Sequence, residues 1–246
     1  MDIEIYQLIL IAVITIGASF IQTVTGFGFG IFAMIFLPHV LLYTEANVLS
    51  SILSVITSLI LVISIFKRVD WKNMLWPLLG CTVTTVISVL FVKSQKGGLL
   101  TMLLGIALIG LSVYFFFFAG KIKIKPTWYA GLIAGLLSGI LGGMFSMSGP
   151  PAVIYFLQSE NDSEDYLATI SAYFVISGAV SIGTKAAAGF VTINVVWGVL
   201  IGAVGMIIGS LVGRFARKGI NPIMLKRAVY LVMAISGIIN VITAAL

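Results

Sequence analysis

Residues 99–119 read LLTMLLGIALIGLSVYFFFFA, an unbroken apolar run of 21 residues without a charged side chain. An α-helix needs roughly 20 such residues to cross the hydrocarbon layer of a bilayer. Lipid offers no hydrogen-bond partner to backbone N–H and C=O groups, so only helices and closed barrels satisfy them there. Barrel strands alternate apolar and polar side chains over about ten residues, and this run does not alternate. It reads as a membrane-spanning helix. Seven more runs of the same kind lie at roughly 5–24, 46–66, 73–92, 127–145, 166–187, 194–213 and 223–245. Two shorter apolar stretches, about 29–43 and 150–158, follow Gly- or Pro-rich breaks and are short for a crossing.

The whole composition agrees. Hydrophobic residues make up 60% of the chain and charged ones 9%, with a mean hydropathy of +1.19, whereas soluble domains carry roughly 25% charged residues. The net charge of +6 comes from basic clusters at segment ends, the pattern of cytoplasmic loops, so no nucleic-acid partner is expected. Cys81 is the single cysteine, which excludes an intramolecular disulfide and a Cys-rich metal site. The first residues, Met-Asp-Ile-Glu, are acidic and no small-residue cleavage site follows, so the first segment reads as a retained helix. No nucleotide-binding loop is present, and no cofactor is expected. Trp71, Trp76, Trp128 and Trp197 stand near segment ends, where aromatic belts form. Phe115 to Phe118 read as lipid-facing or packing surface, and the glycines at 198, 202, 205, 209 and 213 as a close helix–helix approach.

The chain repeats itself at an offset of about 122 residues. Ala12 matches Ala134, Gly17 matches Gly139, Ala46 matches Ala168, Val69 matches Val191, Gly80 matches Gly202, and Ser88 matches Ser210. Lys96-Gly97 matches Lys218-Gly219, and Met102 matches Met224. A register that aligns every segment and loop points to two homologous halves, 1–120 and 121–246.

Three basic clusters set the orientation: Lys67, Arg68 and Lys72; Lys121, Lys123 and Lys125; Arg214, Arg217 and Lys218. All three are cytoplasmic only if each half crosses the membrane an odd number of times. The halves would then form an inverted repeat, each opening with a broken helix or re-entrant hairpin and crossing either five times in short segments or three times after the hairpin, an arrangement of many secondary transporters. On this topology Lys93 and Lys96 lie outside and the acidic loop of Glu160, Asp162, Glu164 and Asp165 lies inside.

The breaks fall at corresponding places. One runs Gln22-Thr23-Val24-Thr25-Gly26-Phe27-Gly28-Phe29-Gly30, and the other Gly142-Gly143-Met144-Phe145-Ser146-Met147-Ser148-Gly149-Pro150-Pro151. Under the same offset Gly28 falls on Pro150 and Phe27 on Gly149. A helix restarting after a break presents free N–H groups and a positive dipole end, which bind anions. Backbone carbonyls at the same breaks would serve a cation instead, and a bare helix–helix turn is the plain alternative. The candidate substrate-binding residues are Gln22, Thr25, Gly26, Phe27, Gly28, Gly30, Ser146, Ser148, Gly149, Pro150 and Lys185, with no catalytic or metal-ligating residue among them.

These residues carry a resemblance. The Gly26, Gly28, Gly30 and Pro38 pattern with Ala46 and Ser50, and the Val69-Asp70-Trp71 turn ahead of Gly80, form its first part. Gly142, Gly143, Ser148, Gly149, Pro150 and Pro151, followed by Ala168, Lys185, Gly189 and Gly202, form the second. The chain resembles the TauE/SafE sulfite exporter family over essentially its whole length. The resemblance implies a secondary transporter of sulfite or a related sulfur-containing or organic anion, multi-pass in the cell (inner) membrane. It leaves exact substrate, direction, coupling ion and homo-oligomerisation open.

Two charged positions need separate readings. Lys185 lies a few residues before the end of its segment, where snorkelling to the outer interface is the expected behaviour and substrate attraction the alternative. His39 reads as a solvated interfacial residue. No Asp or Glu stands mid-span, so a carboxylate proton relay is not expected. An anion channel or membrane scaffold is the alternative to a carrier. An intramembrane serine enzyme at Ser146 or Ser148 would need a base, and His39 is the only histidine.

Overall fold

The computed structural model describes residues 4–25, 28–95, 97–118, 124–160, 162–216, 219 and 222–245. Among them every regular element is helical: α1 Ile5–Thr25, α2 Phe29–Phe36, α3 Tyr43–Ile65, α4 Trp71–Ser94, α5 Gly97–Phe117, α6 Trp128–Phe145, α7 Gly149–Ser159, α8 Ser163–Ala187, α9 Ile193–Ala216 and α10 Pro222–Ala245. Eight of these are long and apolar enough to cross a membrane, all but α2 and α7.

The surface is that of a protein dissolved in lipid. Along α4, Leu75, Leu79, Val83, Ile87 and Leu90 point outward, while Thr85, Ser88 and Cys81 are buried. Water would drive the opposite sorting. In hydrocarbon nothing is gained by hiding Leu, and polar side chains are satisfied only by turning inward. The free thiol of Cys81 is buried, as its apolar run implied.

The chain packs as two compact units, Met1–Ser50 with Ser94–Ala119 and Val191–Leu246, and Ser51–Lys93 with Gly120–Phe190. Each unit draws helices from both sides of residue 120.

In the first unit α1 and α9 run parallel in close contact. A Cβ on Gly205 would sit 2.7 Å from Ala12 O, and one on Gly209 would sit 2.2 Å from Ile16 O, so only glycine fits either place. The approach lets Ser19 Oγ donate to Met206 O at 2.8 Å and lie 2.7 Å from Ser210 Oγ. α5 and α10 run antiparallel, with Ser112 Oγ donating to Tyr230 O and Phe115 stacked on Tyr230 at 4.9 Å. The short α2 folds back along α1, with Phe32 against Gly17, and Gln7 Nε2 donates to Val40 O beyond the end of α2. Glu45 is almost fully buried. It accepts the Leu42 N–H at the start of α3 and a hydrogen bond from Thr192 Oγ1 at 2.6 Å, so this carboxylate is held by two helix N-termini.

In the second unit α4 and α6 run parallel. Gly135 lies against the Pro77 carbonyl and Gly139 against that of Cys81. Thr84 Oγ1 donates to Leu136 O at 2.8 Å, and Trp76 meets Trp128 at the start of both helices. α7 folds back along α6: Ser138 Oγ donates to Ser148 O at 2.9 Å, Tyr155 lies against Gly131, and Ile124 N–H donates to Gln158 Oε1. Asp70 caps α4, accepting from Lys72 N–H and Asn73 N–H at 3.0 Å each. The acidic turn before α8 packs on the basic turn before α4, with Arg68 within 3.3 Å of Asp162, Glu164 and Asp165.

Candidate functional site

The candidate site lies in the second unit, where α6 ends. Its last turn carries Gly142 and Gly143: a Cβ on Gly143 would lie 2.7 Å from Ser88 Cβ, closer than packed carbons approach, and one on Gly142 would lie 3.0 Å from Ser148 Cβ, a tight fit. The helix is closed by Ser146, in the left-handed region at φ 56°, whose N–H donates to Gly142 O at 3.0 Å. A non-glycine residue in that region costs on the order of 1 kcal/mol. This strained cap points the Ser146 hydroxyl at the group that defines the site.

That group is Lys185. Snorkelling does not occur: Lys185 is 0% exposed. Gly189 at φ 88° ends α8 just beyond it, with Phe190 N–H donating to Lys185 O. The side chain extends into the protein because three acceptors await it there. Nζ donates to Ser51 Oγ at 2.6 Å, Ser146 Oγ at 3.0 Å and Gly142 O at 3.3 Å, and the two serine hydroxyls lie 2.7 Å apart. The Gly142 carbonyl belongs to the C-terminal end of α6, where the helix dipole favours a cation. Among the described residues Lys185 forms no ion pair. The arrangement holds one positive charge away from solvent, on neutral oxygens, beside a strained turn.

Ser51 was not among the sequence candidates. Nothing marks it within its apolar run, and it lies 134 positions from the lysine it touches. The other candidates distribute as follows. Ser148 precedes α7 and makes no side-chain cap, while Gly149, Pro150 and Pro151 form its first turn. Prolines have no N–H, so of the amides expected to line this break only those of Ser148, Gly149 and Ala152 can donate. In the first unit Gly28, at φ 107°, precedes α2, and Gly30 is buried in its first turn. Gln22 Oε1 is buried without a hydrogen-bond partner among the described residues. Gly26, Phe27 and the Thr25 side chain lie outside the described residues. His39 is exposed in the 3-10 turn after α2. No cluster of His, Cys, Asp and Glu suited to a metal occurs among the described residues.

Outside the spans, the Glu160 carboxyl is displaced from its usual range. Glu160 is pushed up, first by burial and then by the charge of Asp70, against the hydrogen bond from Asn73 Nδ2.

The eight long apolar helices define a polytopic helical membrane protein. Residues 10–239 match the family model described as Sulfite exporter TauE/SafE, and the chain belongs to that family. Neither the curated proteins nor the solved structures include a match to it.

Proposed function

We propose that this protein is a secondary carrier of small oxyanions of the sulfite class, and that the turn between α6 and α7 binds the anion through Lys185, Ser51 and Ser146. The observation that carries this reading is the lysine: 0% exposed, donating to three neutral oxygens and paired with no carboxylate. A charge in the membrane interior costs about 2.5–3.5 kcal/mol on insertion scales and is kept where it has a task. A small anion is the countercharge that completes it, and the Ser51, Ser146 and Ser148 hydroxyls with the Gly149 N–H supply further donors. The family description names sulfite, which fits a site with one cation and several hydroxyls.

The inverted-repeat reading accompanies this proposal. Its support is the pairing of α1 with α9 and of α4 with α6, both parallel, which exchange when the halves are exchanged. Treating α1–α2 and α6–α7 as re-entrant hairpins leaves three crossings in each half and puts all three basic clusters on the cytoplasmic side. The inner cell membrane is the location that goes with it.

A serine enzyme would need the Lys185 amine free to accept the Ser146 proton, whereas Nζ is also engaged by Ser51 Oγ at 2.6 Å and Gly142 O at 3.3 Å. The carrier reading therefore has the better fit. Its test is uptake of labelled sulfite into proteoliposomes, with sulfate, thiosulfate and acetate as competitors. Saturable flux is expected, with Ser51→Ala and Ser146→Ala each raising the half-saturation concentration about tenfold through a lost charge-assisted bond. Saturable flux indifferent to both changes would move the site elsewhere.

A further inference from the structure

Among the described residues no charged side chain forms an ion pair with the Lys185 amine. α3 carries Tyr43 and Glu45 in its first turn, where Leu42 N–H, Thr192 Oγ1 and Asn194 Nδ2 donate to the Glu45 carboxylate, and no titratable residue from Ser51 onward; α6 carries only Tyr129 in its first turn, and α7 only Tyr155. On α8 the other titratable groups are Glu164, Asp165, Tyr166 and Tyr173, all in the half remote from Lys185. α4, packed on α6, carries Lys72 at its remote start, Cys81 against Thr85, and Lys93, which is exposed five positions beyond the Ser88 that meets Gly143. When the anion site is empty, an ammonium ion here has only dipoles to hold it.

Resting on the anion-carrier reading, we infer that Lys185 carries the proton that accompanies the anion, so that one anion and one proton enter and leave the site together. The geometry accommodates both forms of the amine. As an ammonium, Nζ donates to Ser51 Oγ, Ser146 Oγ and Gly142 O. As a neutral amine it keeps two N–H bonds, to Ser146 Oγ and Gly142 O, and accepts one from the Ser51 hydroxyl, because a serine hydroxyl both donates and accepts. The number of hydrogen bonds is the same in the two forms, and only the charge differs. With the anion bound, the ammonium and anion neutralise each other. With the anion gone, the proton returns to water on the side where the anion left, and the empty carrier reorients without a buried charge. Arginine, which does not deprotonate in proteins, cannot take that step.

The test uses the full chain in proteoliposomes at a constant pH where sulfite is held as its monoanion, with protein-free vesicles as background. Net uptake is followed under potentials imposed with potassium and valinomycin, and counterflow exchange is followed separately. The expected result is that net uptake by the unaltered protein ignores the imposed potential. Lys185→Arg should lower the ratio of net uptake to exchange at least about tenfold, because exchange never requires the empty carrier to return. Net uptake that follows the potential as a bare monoanion would, or a Lys185→Arg ratio equal to that of the unaltered protein, overturns the inference while leaving the carrier intact. If the unaltered protein supports neither net uptake nor exchange, the carrier reading falls and this inference falls with it. Should Lys185→Arg fail to fold, the potential measurement on the unaltered protein decides alone.

Discussion

Replacing Lys185 by methionine should make this protein more stable and unable to transport. Methionine has nearly the length of the lysine stem, so the 0% exposed position stays filled. The partners are not orphaned: Ser51 Oγ and Ser146 Oγ remain 2.7 Å apart, and Gly142 O keeps the Ser146 N–H at 3.0 Å. Removing the lysine recovers about 2.5–3.5 kcal/mol, the cost of this residue inside a membrane on insertion scales. Against that stand three hydrogen bonds, each worth about 0.6 kcal/mol on average between membrane helices, or roughly 2 kcal/mol together. The balance is a gain of about 1 kcal/mol, which for a chain of this size raises the melting temperature by about 2–4 °C. The assay pairs thermal unfolding in detergent with sulfite flux in vesicles. A Lys185→Met protein that melts several degrees lower would show the lysine to be a structural tie. One that transports normally would remove it from the binding site. Either result refutes the reasoning, because a charge kept at a cost in stability must be kept for function.

Other expectations follow from single contacts. Gly209→Ala places a methyl 2.2 Å from the Ile16 carbonyl; backbone cannot yield there, and a loss of at least about 2 kcal/mol is expected. Gly110→Ala, with nothing within 4 Å of its added Cβ, should instead be neutral or gain up to about 1 kcal/mol of helix propensity in the same unfolding measurement. Ser146→Gly relieves the left-handed cap by about 1 kcal/mol while losing the hydroxyl that meets Lys185, so it should melt higher and bind sulfite less tightly. Glu160→Gln tests the raised carboxyl. Because burial lifts its value above the ordinary 4.5, the protonated form is favoured in the folded protein, and that contribution is lost as pH rises through the folded value. The variant should therefore melt higher than the parent near neutral pH, with the difference closing as pH falls toward 4.5, and a difference independent of pH would refute the assignment.

How far the chain could be read in advance depends on the range of the interactions. The long helices were legible because each is specified by its own apolar run, and their ends differ from the sequence reading by a few residues where side chains decide. α3 starts at Tyr43 rather than near residue 46 because Glu45 reaches back to cap the Leu42 N–H. The turn at Ser146 was legible from its Gly- and Pro-rich flanks. Ser51 was not, since one serine among many in apolar helices carries no mark of its partner.

Lys185 shows where the boundary lies. From the sequence alone, the lysine's place near a helix end determined that a cation stands close to one side of the membrane, and snorkelling was the local solution. The hydropathy that makes these helices insert acts residue by residue against lipid, so the sequence by itself determined how many helices there are, how long they are and that they belong in a membrane. The direction of the lysine side chain depends on acceptors 134 and 39 positions away, brought within hydrogen-bond reach only once α3, α6 and α8 have packed. That choice belonged to the tertiary structure, because an ammonium ion goes wherever its three protons find oxygen.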